Sequence, residues 1–383
     1  MTLGVFLDAF PWTVAAEETG PMLERLRGEV GVSGLSIWAA SPPVTQWRTT
    51  GLSPTLARSS GGLHYVPSTR AFASVAFNPP MSEWARSDGR FERAVDACRR
   101  RSFDVRVIVS AATIGQAATR YPEFASQNAF GLWSGTSICL SSVEVQASLC
   151  AMIADAVSQF APSAIVVSDL ASLWWEAFAP DVRFGKTLGA GGRRLLGMCF
   201  CRSCRARATD AGIDVDDAQA RCRTLIDRLS DGVIPSAALA TPYLSEIPAL
   251  AAYARLKGEL LSGFLRSLVE EAAVPILLIQ DEPGAGPVDL EGVNLALPAG
   301  LISNLDPASE VEATRTREAR RQELRISAEV TTQPLAQELV GTFSRAAAAG
   351  YSGFVVDNLG ILSGVSCTSL KQAIRFARRS TGS

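Results

Sequence analysis

The chain has 383 residues, which is long for one ordinary domain and typical of a single α/β barrel with insertions. Its hydrophobic fraction of 47% is enough for a large buried core, and its net charge of −2 lacks the basic excess of nucleic-acid-binding domains. The first residues carry no basic, signal-like segment, and no run reaches the ~18 apolar residues of a membrane span. We therefore expect a cytoplasmic protein with no nucleic-acid partner and no membrane partner.

Short apolar runs alternate with amphipathic stretches along the chain, a pattern typical of βα units and a parallel sheet. The runs that predict strands are residues 3–8, 34–39, 105–110, 164–169, 275–280, 293–297, 324–330 and 354–358. The stretches that predict helices are residues 19–31, 91–101, 143–160, 247–272, 308–323, 334–349 and 368–379. Eight strands with intervening helices predict a (β/α)8 TIM barrel that occupies residues 1–383 as one domain.

Three connections are much longer than ordinary βα loops: residues 40–84 after the second strand, 111–142 after the third and 170–246 after the fourth. All three follow strands, so we expect them on the barrel face where active sites are built. The insertion 170–246 also carries a cluster of cysteines.

Three thiols lie close together in the segment CFCRSC, at Cys199, Cys201 and Cys204, and a fourth, Cys139, lies upstream. Four thiolates complete a closed tetrahedral zinc site, which is structural because no ligand position stays open for water. Clustered cysteines in a chain without a secretion signal favour metal ligation over disulfides. We expect structural zinc at these four residues, with free thiols as the alternative.

No sequence motif indicates an organic cofactor. The glycine-rich residues 189–192 do not follow a predicted strand, so they do not predict a phosphate-binding or dinucleotide-binding loop. The single histidine, His64, has no second histidine or triad partner to suggest nucleophilic catalysis, and we expect it to be structural.

Several segments resemble, in order, the middle of glycoside-hydrolase-type TIM barrels. They are CLSSVEV at 139–145, AIVVSD at 164–169 and CFCRSC at 199–204. The resemblance is to family forty-two β-galactosidases and to uncharacterised bacterial barrels that also carry segments like PEF at 122–124 and QNAFG at 127–131. The resemblance is good over residues 100–210. Elsewhere only the alternation of predicted strands and helices is shared. The resemblance implies zinc bound by Cys139, Cys199, Cys201 and Cys204, and an acid/base carboxyl group at the end of the fourth strand.

Carboxylates at the ends of predicted strands are the candidate catalytic residues. Glycoside cleavage uses two carboxyl groups, about 5–5.5 Å apart for retention and ~6.5–9.5 Å apart for inversion of configuration. The resemblance implies Asp169, which ends the fourth strand, as acid/base and Glu329, near the end of the seventh, as nucleophile. Asp281 and Glu282, after the fifth strand, are a second candidate set. Asp169 could instead cap a loop and Glu329 could face a helix. Only one of the adjacent Asp281 and Glu282 can face the barrel mouth.

Sugar binding adds aromatic platforms and polar groups at the same face. The candidate substrate-binding residues are Asp8, Trp12, Trp38, Gln127, Asn128, Trp174, Trp175, Asp357 and Asn358. The alternative is that the tryptophans fill the packing between loops and barrel, and that the amides satisfy backbone groups in the loops.

The function predicted from these residues is a carbohydrate-active enzyme, a glycoside hydrolase with a carboxylate pair at the C-terminal barrel face and a carbohydrate or sugar-like small molecule as substrate. At the fourth strand, Ser168 and Asp169 stand where the β-galactosidases have Asn-Glu. Two alternatives therefore stay open: a lyase, isomerase or biosynthetic enzyme built on the same barrel, and a non-catalytic sugar-binding barrel.

Overall fold

In the computed structural model the described residues are 3–48, 55–86, 89–170, 192, 195–233, 247–280, 293, 297–304, 322–326 and 336–380. Their strands are β1 (Gly4–Ala9), β2 (Gly34–Ser41), β3 (Val44–Arg48), β4 (Thr55–Ser59), β5 (Gly62–Leu63), β6 (Asp104–Ser110), β7 (Ala125–Gln127), β8 (Trp133–Ile138), β9 (Ala164–Ser168), β10 (Ile276–Gln280), β11 (Gly300–Asn304), β12 (Gln322–Ile326) and β13 (Gly353–Val356). Their α-helices are α1 (Pro11–Val14), α2 (Gly20–Arg25), α3 (Arg90–Arg100), α4 (Ala117–Arg120), α5 (Val143–Phe160), α6 (Arg202–Asp210), α7 (Val215–Ser230), α8 (Pro248–Glu271), α9 (Ala336–Ala348) and α10 (Gly364–Ser380).

Eight parallel strands close into a barrel. Around it they follow the order β1, β2, β6, β9, β10, β11, β12 and β13, and β13 pairs with β1 to complete the ring. The predicted TIM barrel is therefore confirmed. The short strand β5 pairs antiparallel with the end of β2, and the hairpins β3–β4 and β7–β8 extend the segments after the second and third barrel strands.

Strand sequences explain the two buried layers. Residues that alternate along each strand point either into the barrel or outward to the helices. The inner layer contains Phe6, Ile108, Val166, Leu277, Ile279, Ile302 and Val355. Gly34 makes room for this layer, because a Cβ atom there would lie 2.5 Å from the Phe6 ring. The outer layer is the main core, formed between the strands and helices such as α3, α5 and α10.

A second apolar cluster lies beside the barrel core. It is built from α6, α7 and the first half of α8 around the four cysteines. The helices α6 and α7 lie inside the predicted insertion 170–246, where the sequence patterns had indicated none. The remainder of this insertion is outside the described residues, so its extent stays a prediction.

Two predictions were wrong in detail. The sixth barrel strand is β11 at Gly300–Asn304, whereas the apolar run 293–297 had predicted it. The seventh barrel strand, β12, begins at Gln322, so the helix predicted at 308–323 cannot include its last two residues. Among the described residues no helix is long and apolar enough to cross a membrane.

Candidate active site and cysteine cluster

Three aspartates converge at the C-terminal end of the barrel. Asp8 lies near the end of β1, Asp169 directly follows β9, and Asp357 directly follows β13. Because all eight barrel strands are parallel, their C-terminal ends open at the same face, where TIM-barrel active sites lie. These three carboxylates, which the sequence placed at strand ends, therefore lie at the same face of the barrel.

Arg325, on β12, joins two of these aspartates. Its Nη2 atom lies 2.9 Å from Oδ2 of Asp8 and 3.2 Å from Oδ1 of Asp357. The Asp8 side chain is 3% exposed and that of Asp357 is 43% exposed, so the network runs from the barrel interior to its mouth. Burial raises the pKa of Asp8 to about 6, against the opposing effect of Arg325, and the charge of Asp357 adds to the rise.

Asp169 is held from both its side chain and its backbone. Its Oδ2 atom accepts hydrogen bonds from the hydroxyl groups of Ser110 at 2.5 Å and Thr113 at 2.7 Å, and a longer one from Ser168. Its carbonyl accepts from the backbone N–H of Ala112 at 3.0 Å. The φ angle of Asp169 is +53°, an uncommon conformation for a residue with a side chain, found often at functional sites.

The tryptophans after the first two strands have different environments. Trp12 is 1% exposed, stacks on Phe10 with ring centroids 4.5 Å apart, and donates from Nε1 to Gln46 at 2.8 Å. Trp38 is half-buried and packs against the inner barrel layer. Trp38 also stacks on Phe10, with ring centroids 5.9 Å apart, so both tryptophans pack against the same ring.

Asn358 stabilises the turn after β13. Its Oδ1 atom accepts from the backbone N–H of Gly360 at 3.0 Å and from Nε2 of Gln46 at 2.5 Å, and its φ angle is +76°. Asn is one of the residues that tolerates this conformation. Asn358 thus stabilises the backbone conformation of a turn at the barrel mouth.

Gln127 and Asn128 lie near the cysteines. Asn128 is 1% exposed, and its Oδ1 atom accepts from two backbone N–H groups, those of Phe130 and Leu132, each at 3.0 Å. Gln127 donates from its side chain to the carbonyl of Gly131 at 2.9 Å. Both amides satisfy backbone groups of their own loop, the second of the two interpretations that the sequence allowed.

Five of the predicted site residues lie outside the described residues. They are Asp281, Glu282, Glu329, Trp174 and Trp175. Glu329 comes three positions after the end of β12, and Asp281 and Glu282 follow β10 directly. Their assignment stays a prediction.

The four predicted metal ligands do come together. The Sγ atoms of Cys139, Cys199, Cys201 and Cys204 all lie within 4.8 Å of one another, and all four residues are buried. A tetrahedral site with Zn–S bonds of about 2.3 Å places sulfur atoms roughly 3.8 Å apart, so the cluster is of the right size. It is the only group of its kind found among the described residues.

Hydrogen-bond donors surround this cluster. The backbone N–H of Gln127 donates to Sγ of Cys199 at 3.3 Å, and Nζ of the buried Lys257 donates to Sγ of Cys204 at 3.0 Å and to Oγ of Ser141 at 2.7 Å. Hydrogen bonds from the other three thiols, together with the Lys257 charge, lower the pKa of Cys204. The charged donor at Cys204 favours its thiolate, the form that binds metal, whereas burial and the neighbouring thiols raise the pKa of Cys199.

The single histidine lies beside Trp12, with ring centroids 5.2 Å apart. His64 is 1% exposed, with Nε2 2.8 Å from Oγ of Ser41 and Nδ1 2.9 Å from Oγ of Ser82. Burial lowers the pKa of His64 to about 3. Its environment is that of a neutral ring held between two hydroxyl groups.

The sequence analysis missed Arg325, Ser110 and Thr113. A signal for the first was present, because Glu323 and Arg325 alternate with Leu324 and Ile326 in a strand that should read as continuously apolar. A charge at an inward position of a buried strand needs a partner across the barrel. Nothing comparable marks the two hydroxyl residues.

No protein-family model matches the sequence, and no curated protein is significantly similar to it. Solved structures are similar in fold. The glycoside hydrolase domain of PgaB (BpsB) from Bordetella bronchiseptica has a TM-score of 0.57 and 10% identity, over 98% of this chain and 99% of that domain. The β-galactosidase of the psychrophilic Marinomonas ef1 has a TM-score of 0.55 and 9% identity, over 97% of this chain and 59% of that one.

The α-L-fucosidase isoenzyme 2 of Paenibacillus thiaminolyticus has a TM-score of 0.53 and 10% identity, over 98% of this chain and 49% of that one. This chain therefore spans only about half of the fucosidase and less than two thirds of the β-galactosidase. The expected resemblance to glycoside-hydrolase barrels is confirmed at the level of the fold. At identities this low the fold alone does not determine the reaction.

Proposed function

We propose that this protein is a carbohydrate-active enzyme, a glycoside hydrolase that works at the C-terminal mouth of its barrel. The observation that carries the proposal is the convergence of Asp8, Asp169 and Asp357 at this face. Carboxyl groups are the catalytic groups of glycoside cleavage. The fold shared with several glycoside hydrolases supports this choice.

Asp169 is the proposed acid/base. Among the described residues its hydrogen bonds all reach Oδ2, so Oδ1 is left for the glycosidic oxygen of a substrate. The proposed nucleophile is Glu329, from the segment after β12, and Asp281 and Glu282 are the alternatives for that role. Asp357, the exposed member of the Arg325 network, is proposed to bind sugar hydroxyl groups.

The test is turnover of a panel of aryl glycosides by the wild type, by Asp169→Asn and by Asp104→Asn. Asp104 is exposed at the opposite end of the barrel, on β6, and serves as a matched control. Loss of general acid/base catalysis should lower turnover about 10²–10⁴-fold in Asp169→Asn only. A folded wild type without activity on any α- or β-glycoside of the panel would contradict the proposal, and so would an active Asp169→Asn.

A second candidate function, an isomerase or lyase on a sugar-like molecule, is favoured by Asp8. A carboxyl group with a pKa of about 6 beside Arg325 is suited to removing a carbon-bound proton near neutral pH. Exchange of deuterium from solvent into a sugar, detected by NMR and abolished in Asp8→Asn, would support this function. Absence of exchange in the wild type would reject this second function and leave hydrolysis as the only candidate.

The cysteine cluster is proposed to hold a structural zinc ion, bound by Cys139, Cys199, Cys201 and Cys204. The four buried sulfur atoms and the donors around them support this. The ion would contribute folding free energy by joining two distant segments of the chain. All eight cysteines are unpaired, which supports the proposed location in the reducing cytoplasm.

Elemental analysis of purified protein tests the metal. We expect about one equivalent of zinc in the wild type and in Cys98→Ala, a control at a buried cysteine of α3, and less than a tenth of that in Cys204→Ala. A zinc content below half an equivalent in protein with reduced cysteines would reject the four-thiolate site.

A further inference from the structure

A cleft outside the barrel mouth is lined by an unusual number of arginines. It has a volume of about 650 Å³ and lies between α3 and the segment formed by α1 and the turns that follow it. Five arginines and two glutamates line it, which leaves a formal excess of three positive charges: Arg48, Arg90, Arg93, Arg100, Arg101, Glu17 and Glu18. The whole chain, in contrast, has a net charge of −2.

Helical spacing explains how the arginines meet. Arg90, Arg93, Ala97 and Arg100 are three or four residues apart, so they form one stripe on α3 that faces the cleft. Ala97 has a short side chain, and the opposing wall contains Ala15, Ala16 and Gly20. Small residues on both walls leave the space that the arginine side chains border.

Most of this charge is not neutralised by the protein. Arg48 pairs with Glu18 at 3.3 Å and Arg101 with Glu24 at 3.2 Å. Among the described residues, Arg90, Arg93 and Arg100 have no carboxylate partner, and Arg90 instead stacks on the Trp84 ring at 4.5 Å.

Among the described residues, the Nε atoms of Arg90 and Arg101 are buried and have no hydrogen-bond acceptor. Buried donors without acceptors are rare, and both arginines line the cleft.

We propose that this cleft binds a small polyanion whose phosphate or sulfate groups are held by Arg90, Arg93 and Arg100. Guanidinium groups match tetrahedral oxyanions because their planar N–H donors bind two oxygens at once. A cleft of this size suits a molecule with two or three such groups, whereas a nucleic acid would require an extended basic surface. The proposal does not depend on the reaction at the barrel mouth.

The test is calorimetric titration of the full chain, in low-salt chloride buffer, with inorganic tripolyphosphate and with sucrose octasulfate. Saturable binding of either probe at one site is expected, the first if phosphate groups are the natural ligand and the second if sulfate esters are. Arg93→Glu/Arg100→Glu should weaken binding at least about tenfold, since each residue supplies a charge-assisted hydrogen bond. Arg266→Glu/Arg375→Glu has the same charge change at exposed positions of α8 and α10, and should bind within about twofold of the wild type.

Two further variants separate a built site from general surface charge. Ala16→Met fills the cleft without changing charge and should weaken binding, while Glu17→Gln removes a competing carboxylate and should strengthen it. Unfolding midpoints confirm that each variant is folded. Absence of saturable binding by the wild type overturns the proposal, as does an equal loss of affinity in the two double-arginine variants, or unchanged affinity in Ala16→Met.

Discussion

The ion pair inside the barrel allows a quantitative test of what holds this fold together. Arg106 on β6 and Glu323 on β12 come from opposite sides of the ring and form two hydrogen bonds, of 2.6 Å and 2.9 Å. Their side chains are 3% and 1% exposed, and the Arg106 guanidinium lies 3.2 Å from the centroid of the Phe6 ring. Both charges are thus held away from water in a bidentate ion pair.

Removing one partner should leave the other charge buried without its bidentate ion pair. Arg106→Met and Glu323→Leu should each lower the free energy of unfolding by about 3–5 kcal/mol, a large fraction of the ~5–15 kcal/mol of a typical protein. The double variant Arg106→Met/Glu323→Leu removes both charges and keeps most of the volume, so it should be close to the wild type or more stable.

Guanidinium chloride unfolding, followed by tryptophan fluorescence and by circular dichroism, measures these differences if the two transitions coincide. The control is the exposed pair Arg221 and Asp217 on α7, 3.1 Å apart, where Arg221→Met should change stability by less than about 0.5 kcal/mol. A single barrel variant that loses under about 1 kcal/mol, or a double variant as unstable as the sum of the two, would refute the reasoning.

Three further outcomes are expected. Because burial raises the pKa of Asp8 from 3.8 to about 6, the stabilising contribution of Asp8 is present below the lower value and is lost as pH rises through the higher one. As pH rises between those values, the free energy of unfolding of the wild type should therefore fall relative to that of Asp8→Asn. A difference between the two proteins that stays constant with pH would contradict this. His64 should stay neutral, so the NMR signals of this single imidazole should show no titration between about pH 5 and pH 8, and a midpoint near 6.5 would reject its buried placement. Lys257→Met removes a donor to Cys204 and should weaken zinc binding about tenfold in chelator competition, whereas Lys371→Met on α10 should leave it unchanged; equal affinities would exclude the role of the ammonium group.

The strands were predictable where burial on both faces imposes a continuous apolar sequence. The run of Val and Ile in β9 and the run of Leu and Ile in β10 are examples, and both were found close to their expected bounds. The sixth strand, β11, has the sequence GLISN, in which only two residues are apolar, so the sequence pattern favoured the more apolar run at 293–297. The seventh strand was displaced because Glu323 and Arg325 interrupt its apolar pattern.

The position of the site was more predictable than its contacts. Parallel strands place their last residues at one face, so Asp8, Asp169 and Asp357 could be grouped from the sequence. The contact between Arg325 and Asp8 could not be predicted, since Arg325 on β12 reaches Asp8 on β1 past β13, where the closure of the barrel brings β13 beside β1. Trp12 follows β1 and Trp38 lies within β2, and only packing distinguishes the buried ring of Trp12 from the half-buried ring of Trp38.

The cysteine cluster is linked to the proposed acid/base by a short path through the backbone. The carbonyl of Asp169 accepts from the N–H of Ala112, and the carbonyl of Ala112 accepts from the N–H of Ile138 at 2.8 Å. Ile138 ends β8 and directly precedes Cys139. A metal ion bound at the proposed zinc site would fix Cys139 and, through this path, the backbone that hydrogen-bonds to Asp169. The proposed zinc would then help to hold Asp169 in its left-handed conformation, which gives a physical reason to expect a structural metal close to the proposed acid/base.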